Sequence, residues 1–218
     1  MGFNEAQTKA ICHKNGPAMV LAGPGSGKTL VITRRVEYLI KKYGVRPEQI
    51  LVITFTKAAA KEMRERFARI TKDDRFPVTF GTFHGIYYGI LKWAYRMNAS
   101  NIFSEEEKMM LLREVIAGME LEIEDEKEFL QGIASEIGQI KNNRLSLEEY
   151  ESSNCSDQMF RQIYEEYERR RKLLKKIDFD DMLVLCYELF QKRPDILQMW
   201  QKKFQYILID EFQDINQV

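Results

Sequence analysis

The sequence predicts an α/β fold in which a parallel sheet is flanked by helices and an all-helical subdomain is inserted. Three observations carry this. Short apolar runs at residues 18–21, 50–55, 76–80 and 206–209 have the composition of buried strands. The first three are each followed by a segment whose apolar positions recur at helical spacing, and strands alternating with helices form parallel sheets through right-handed crossovers. From residue 98 to residue 176 that alternation stops and only helical patterns remain.

In chain order, residues 3–14 predict a short helix, capped by Asn4 and with Ala6, Ala10 and Ile11 on one face. Asn15-Gly16-Pro17 ends it and leads into the first strand, 18–21. Ala22-Gly23-Pro24-Gly25-Ser26-Gly27-Lys28-Thr29 follows, then a helical pattern to residue 40. In a strand–turn–helix context this is a phosphate-binding loop, with Ala22 where the usual pattern has glycine. The glycines let successive N–H groups turn inward toward phosphate oxygens, and the helix adds its positive end. Lys28 is placed to reach the β- and γ-phosphates, and the Thr29 hydroxyl to bind Mg²⁺. After a turn at Arg46-Pro47 comes the second strand, 50–55. A helix from Lys57 then packs Ala58, Ala59, Met63, Phe67 and Ile70 and exposes Lys61, Arg64, Arg66 and Arg69. The third strand, 76–80, runs through Gly81-Thr82-Phe83-His84-Gly85 into an aromatic helix, 86–97.

The inserted stretch predicts helices at 105–119, 126–140, 147–150 and 159–176. Its early part is acidic. Its late part is basic, with Arg169-Arg170-Arg171-Lys172 and Lys175-Lys176, and both runs read first as solvated helix faces. Asp178 then caps a helix to residue 191, another follows at 194–204, and the strand 206–209 ends in Asp210-Glu211-Phe212-Gln213-Asp214. The expected division is therefore 1–97 with 177–218 as an ATP-binding domain, and 98–176 as the helical insertion.

The 218 residues are 44% apolar, enough for a sizeable core, and 33 basic residues balance 33 acidic ones. With no overall basic excess, any nucleic-acid reading rests on local features. The three cysteines are far apart and lack metal-ligand spacing, which points away from a disulfide framework and toward a reducing cytoplasm. No signal peptide opens the chain, and no apolar run approaches membrane-spanning length.

A phosphate-binding loop needs a carboxylate for its Mg²⁺, usually at the end of a neighbouring strand. Asp210 occupies such a position, and Glu211 beside it is placed to orient or deprotonate an attacking water. Together these stretches resemble the UvrD/Rep/PcrA family of superfamily 1 DNA helicases. Phe3-Asn4-Glu5-Ala6-Gln7 is similar to the family's Q motif, and residues 22–29 to motif I. Residues 53–63 resemble motif Ia, and 81–85 the next motif along the single strand. Asp178-Phe179-Asp180-Asp181-Met182-Leu183 is similar to the segment before motif II, and 210–214 to motif II itself. The insertion falls where the family places its 1B subdomain.

The resemblance implies a RecA-like P-loop sheet and ATP-dependent 3′→5′ unwinding, with ATP and Mg²⁺ bound. Gln7 would read adenine and Gln213 would join the nucleotide set. Lys28, Asp210 and Glu211 would be catalytic, and Thr29 with Asp210 would hold the metal. Single-stranded DNA would cross Phe55, Thr56, Lys57 and His84, with duplex junctions and the family's further helicase domains as partners. Lys57-Ala58 replaces the Asn-Lys of many UvrD and PcrA sequences and lies nearer the RecB and AddA helicase–nucleases, so that alternative stays open, as does a stand-alone nucleotide-binding module. Leu30 stands where an arginine often follows motif I. The resemblance ends just after motif II, so the chain is expected to be an N-terminal fragment. In RecA-like sheets the strand after motif II lies between the P-loop strand and the motif II strand; without it, unpaired edges or an altered strand order are expected.

Overall fold

The computed structural model describes residues 2–72, 75–119, 121 and 123–215. Its described residues gather into two compact units, 2–86 with 193–215 and 87–192. No described helix is long and apolar enough to cross a membrane.

The first unit opens with α1 (Glu5–Cys12), held by a reciprocal cap. The Gln7 N–H donates to Asn4 Oδ1 at 2.8 Å and the Asn4 N–H to Gln7 Oε1 at 3.0 Å. The long α2 (Lys28–Tyr43) starts after Gly27 and stops at Gly44, both in the left-handed region. β1 (Ile50–Thr54) is buried along its whole length, as a central parallel strand requires. Thr56 caps α3 (Lys57–Thr71) through its hydroxyl, which accepts from the Ala59 N–H at 3.1 Å. β2 (Thr79–Thr82) leads directly into α4 (Phe83–Tyr95). The second unit then adds α5 (Glu105–Ala117), α6 (Glu126–Asn143), α7 (Asp157–Leu173) and α8 (Phe179–Lys192). The chain returns to the first unit with α9 (Pro194–Lys203) and β3 (Tyr206–Ile209).

The sheet is parallel with order β2-β1-β3, and Val52 lies opposite both Phe80 and Leu208. On one face Ile50, Val52, Phe80 and Leu208 pack with Val36 and Leu39 of α2 and with Met63 and Phe67 of α3. On the other, Leu51 and Ile53 pack with Phe83, Ile86, Trp200 and Phe204. In the second unit Leu112, Val115, Ile133, Ile137, Phe160 and Ile163 form a separate core.

Three expectations need correction. Residues 18–21 are not a strand. They have no ladder partner among the described residues, and Met19, Val20 and Leu21 are 68%, 59% and 89% exposed. Among the described residues β3 pairs only with β1, so its other edge is free; of the two expected consequences, the unpaired edge is the one observed. The third strand begins at Thr79 rather than 76, because the Val78 N–H turns back to the Phe76 carbonyl. Residues 147–150 form no helix; 147–149 are a turn whose Glu149 N–H donates to the Ser146 carbonyl.

Candidate nucleotide-binding site

The loop 22–29 is shaped by two glycines that must adopt positive φ, Gly25 at 72° and Gly27 at 83°. A side chain at either position would be strained. Ser26 closes the turn, with its Oγ donating to the Gly23 carbonyl at 2.7 Å. α2 begins at Lys28, so the amides of its first turn, next to the loop, have no partner within the helix.

α1 reaches the loop through Gln7. The Gln7 Nε2 donates to the Ser26 carbonyl at 3.0 Å while its Oε1 accepts from the Asn4 N–H. One side chain thus ties the start of α1 to the phosphate loop. The sequence marks Gln7 as polar and suited to an adenine edge; its grip on the loop comes only from the fold.

Asp210 stands at the carboxyl end of β3, where its N–H continues the ladder to the Ile53 carbonyl at 2.9 Å. Glu211 follows with φ at 53°. Lys28 Nζ lies 3.4 Å from Glu211 Oε1, and Gln213 Nε2 donates to Glu211 Oε2 at 2.7 Å. The Gln213 amide and then the Lys28 ammonium hold the Glu211 carboxyl below its usual range. Asp210 goes the other way: burial first, and the Glu211 charge second, push its carboxyl above the usual range. The structure therefore brings Gln7, Ser26, Gly27, Lys28, Asp210, Glu211 and Gln213 to one end of the sheet.

Asp210, Glu211 and the Thr29 hydroxyl are hard oxygen donors of the kind Mg²⁺ takes. A cation beside Asp210 would offset the burial and the Glu211 charge that raise its pKa. Among the described residues there is no cluster of three or more His, Cys, Asp or Glu side chains suited to a metal.

The residues expected on a DNA path sit at the carboxyl ends of the neighbouring strands. Phe55 follows β1 and is 61% exposed. Thr56 spends its hydroxyl on the α3 cap, Lys57 is the first, exposed residue of α3, and His84 is half-buried in the first turn of α4.

A parallel sheet with a glycine loop before its helix, and an acidic pair ending the strand that faces it, defines a P-loop nucleotide-binding domain. Residues 3–218 match the UvrD/REP helicase N-terminal domain, and the chain belongs to that family. It is 41% identical to YjcD of Bacillus subtilis (strain 168), over all of this chain and 29% of that protein. It is 34% identical to the ATP-dependent DNA helicase Rep of Escherichia coli (strain K12) and 32% to the ATP-dependent DNA helicase PcrA of Leuconostoc citreum. Each match covers 99% of this chain, with 33% and 29% of those proteins. The chain thus spans about a third or less of the relatives it matches.

Proposed function

We propose that the chain is the ATP-binding motor part of a 3′→5′ DNA helicase or translocase. The observation that carries this is the meeting of Lys28 and Glu211, far apart in sequence, at the mouth of the phosphate loop beside Asp210. The Lys28 ammonium holds Glu211 when no phosphate is present; an arriving γ-phosphate competes for it. Released, the Glu211 carboxylate is available to orient and deprotonate a water. Thr29 and Asp210 would hold Mg²⁺, which supplies charge neutralisation at the β- and γ-phosphates when bound. Gln7, already against the loop, would select adenine through its amide, and Gln213 would keep Glu211 in place.

DNA enters the reading through the names of Rep and PcrA and through chemistry. Phe55 offers an exposed aromatic face for base stacking, Lys57 a cation for phosphate, and Thr56 and His84 lie along the same sheet end. Single strands and duplex junctions are the proposed substrates, with further helicase domains completing the second wall of the path.

Calorimetric titration of Mg²⁺–ATP into the Lys28→Ala variant tests the nucleotide site. Loss of measurable binding is expected, and an unchanged affinity would sink the assignment. ATP should also bind better than GTP, and Gln7→Ala should erase that preference.

A further inference from the structure

The basic run that ends α7 is more than a solvated face. In the helical unit a cavity of about 470 Å³ is lined by Tyr95, Arg96, Asn98, Lys172, Lys175 and Lys176 among others. Of its cations, Arg171 is committed inward to Glu168 and Asp181, and Lys176 to Glu107 at 2.8 Å. Arg96 and Lys175 have no ion-pair partner among the described residues, and the one for Lys172 is distant, Glu168 at 3.8 Å. Among the described residues no carboxylate lines the cavity.

Two of these cations stand where helices stop: Arg96 follows α4 and Lys175 follows α7, with φ at 56° and 53° as a left-handed helix end requires. Helix capping does not demand the ammonium groups. The carbonyls ending α7 are already met by main-chain amides, Leu174 to Arg170, Lys175 to Lys172 and Lys176 to Arg171. Tyr95 at the rim is 50% exposed and offers an aromatic face beside the cations.

We infer that this cavity binds the phosphodiester backbone of a single DNA strand, at a contact separate from the Phe55–His84 path. Arg96, Lys172 and Lys175 neutralise phosphates, and Tyr95 stacks on a base, which is why a single strand is preferred to a duplex. The inference rests on the DNA reading above but on none of the nucleotide-site residues.

The test is fluorescence anisotropy of a labelled oligonucleotide and of its duplex against the 218-residue chain, at several salt concentrations. Arg96→Glu with Lys172→Glu and Lys175→Glu should weaken single-strand binding at least about tenfold and make the salt dependence shallower by about two phosphate equivalents. Tyr95→Ala should weaken the single strand more than the duplex. Lys41→Glu with Lys42→Glu, an exposed pair on α2, should change little. Should the triple reversal lower the melting temperature, the neutral pair Arg96→Gln with Lys175→Gln gives the same reading, with a several-fold loss expected. Binding by the parent chain that these changes leave within twofold would overturn the inference. Equal loss for both DNA forms with Tyr95→Ala silent would overturn the choice of a single strand. No binding by the parent chain at any salt would instead remove the DNA reading itself.

Discussion

In the helical unit Lys141 stands at the centre of a buried charge cluster. It is almost wholly buried, with Nζ 2.8 Å from Asp181, 2.9 Å from Asp178 and 2.8 Å from Glu168. Arg171 and Lys108 join the same cluster, and the Tyr167 hydroxyl donates to Asp178. Removing one partner strands the others as uncompensated buried charges, so Lys141→Met should cost about 3–5 kcal/mol in chemical unfolding. A loss under 1 kcal/mol would show that water already reaches the cluster. The carboxyls of the cluster also shift in opposite directions. Burial, with the Asp178 charge opposing its relief by Lys141, pushes the Asp181 carboxyl up to about 6. Asp178, held by Lys141 and Lys108 against its own burial, lies below the usual range. A raised acid binds its proton more tightly when folded, so this contribution grows as pH falls from about 6 toward 4, and the Asp178 contribution is lost only below that. Thermal melts of the parent should therefore hold or gain stability between pH 7 and pH 5, by about 1 kcal/mol, with Asp181→Asn abolishing the gain. Parallel declines in both proteins would refute it. Part of this was legible in the sequence. The Asp178 cap is a local signal, and the Asp181 N–H does donate to Asp178 Oδ1 at 2.8 Å. Its cation was not, because Lys141 lies on another helix and nothing in its own neighbourhood marks it as buried.

Among the elements, the segment before the phosphate loop departs most from its sequence. Residues 18–21 have strand composition, and helices α2 and α3 and strands β1 and β3 were legible because each signal is local and each finds its partner. A strand's stability belongs to its neighbour. Asn15 is tied to the start of β3 by the Tyr206 hydroxyl at 3.4 Å, and Lys28 to its far end through Glu211. The apolar run between those ties still has no ladder to join, and Ile207 of β3 is 56% exposed. Hydrogen exchange should show this. Amides 19–21 should exchange orders of magnitude faster than those of Leu51–Ile53 in β1. Equal protection would mean that the run pairs in solution. The loop itself is constrained by its own backbone, so Gly27→Ala, forced to hold φ near 83°, should destabilise the first unit by about 1–2 kcal/mol and weaken nucleotide binding with it.

At the scale of the whole chain the question is turnover. The proposed site would supply groups for the phosphates, the metal and the water, but transition-state charge on a γ-phosphate is normally met by an arginine, worth about 10³–10⁵ in rate. The arginines of α2 that lie closest to the loop in sequence are engaged elsewhere. Arg34 holds Glu37 at 2.7 Å, and the Arg35 guanidinium donates to the Ala10 and His13 carbonyls at the end of α1. Burial lowers the pKa of Arg35 somewhat, yet it stays a cation locked to carbonyls rather than a free one. Lys28 is the only cation that the described residues place within an ion pair of Glu211. The 218-residue chain tested alone should therefore bind ATP and hydrolyse it barely above background. Oligonucleotide should stimulate it little, since in the proposed reading further helicase domains complete the path that Phe55 begins. A phosphate-release assay with and without single-stranded DNA decides the matter. Several turnovers per second, abolished by Glu211→Gln, would show that Lys28 and the loop amides supply enough positive charge by themselves, and that a P-loop domain of this kind needs no arginine from outside its own sheet.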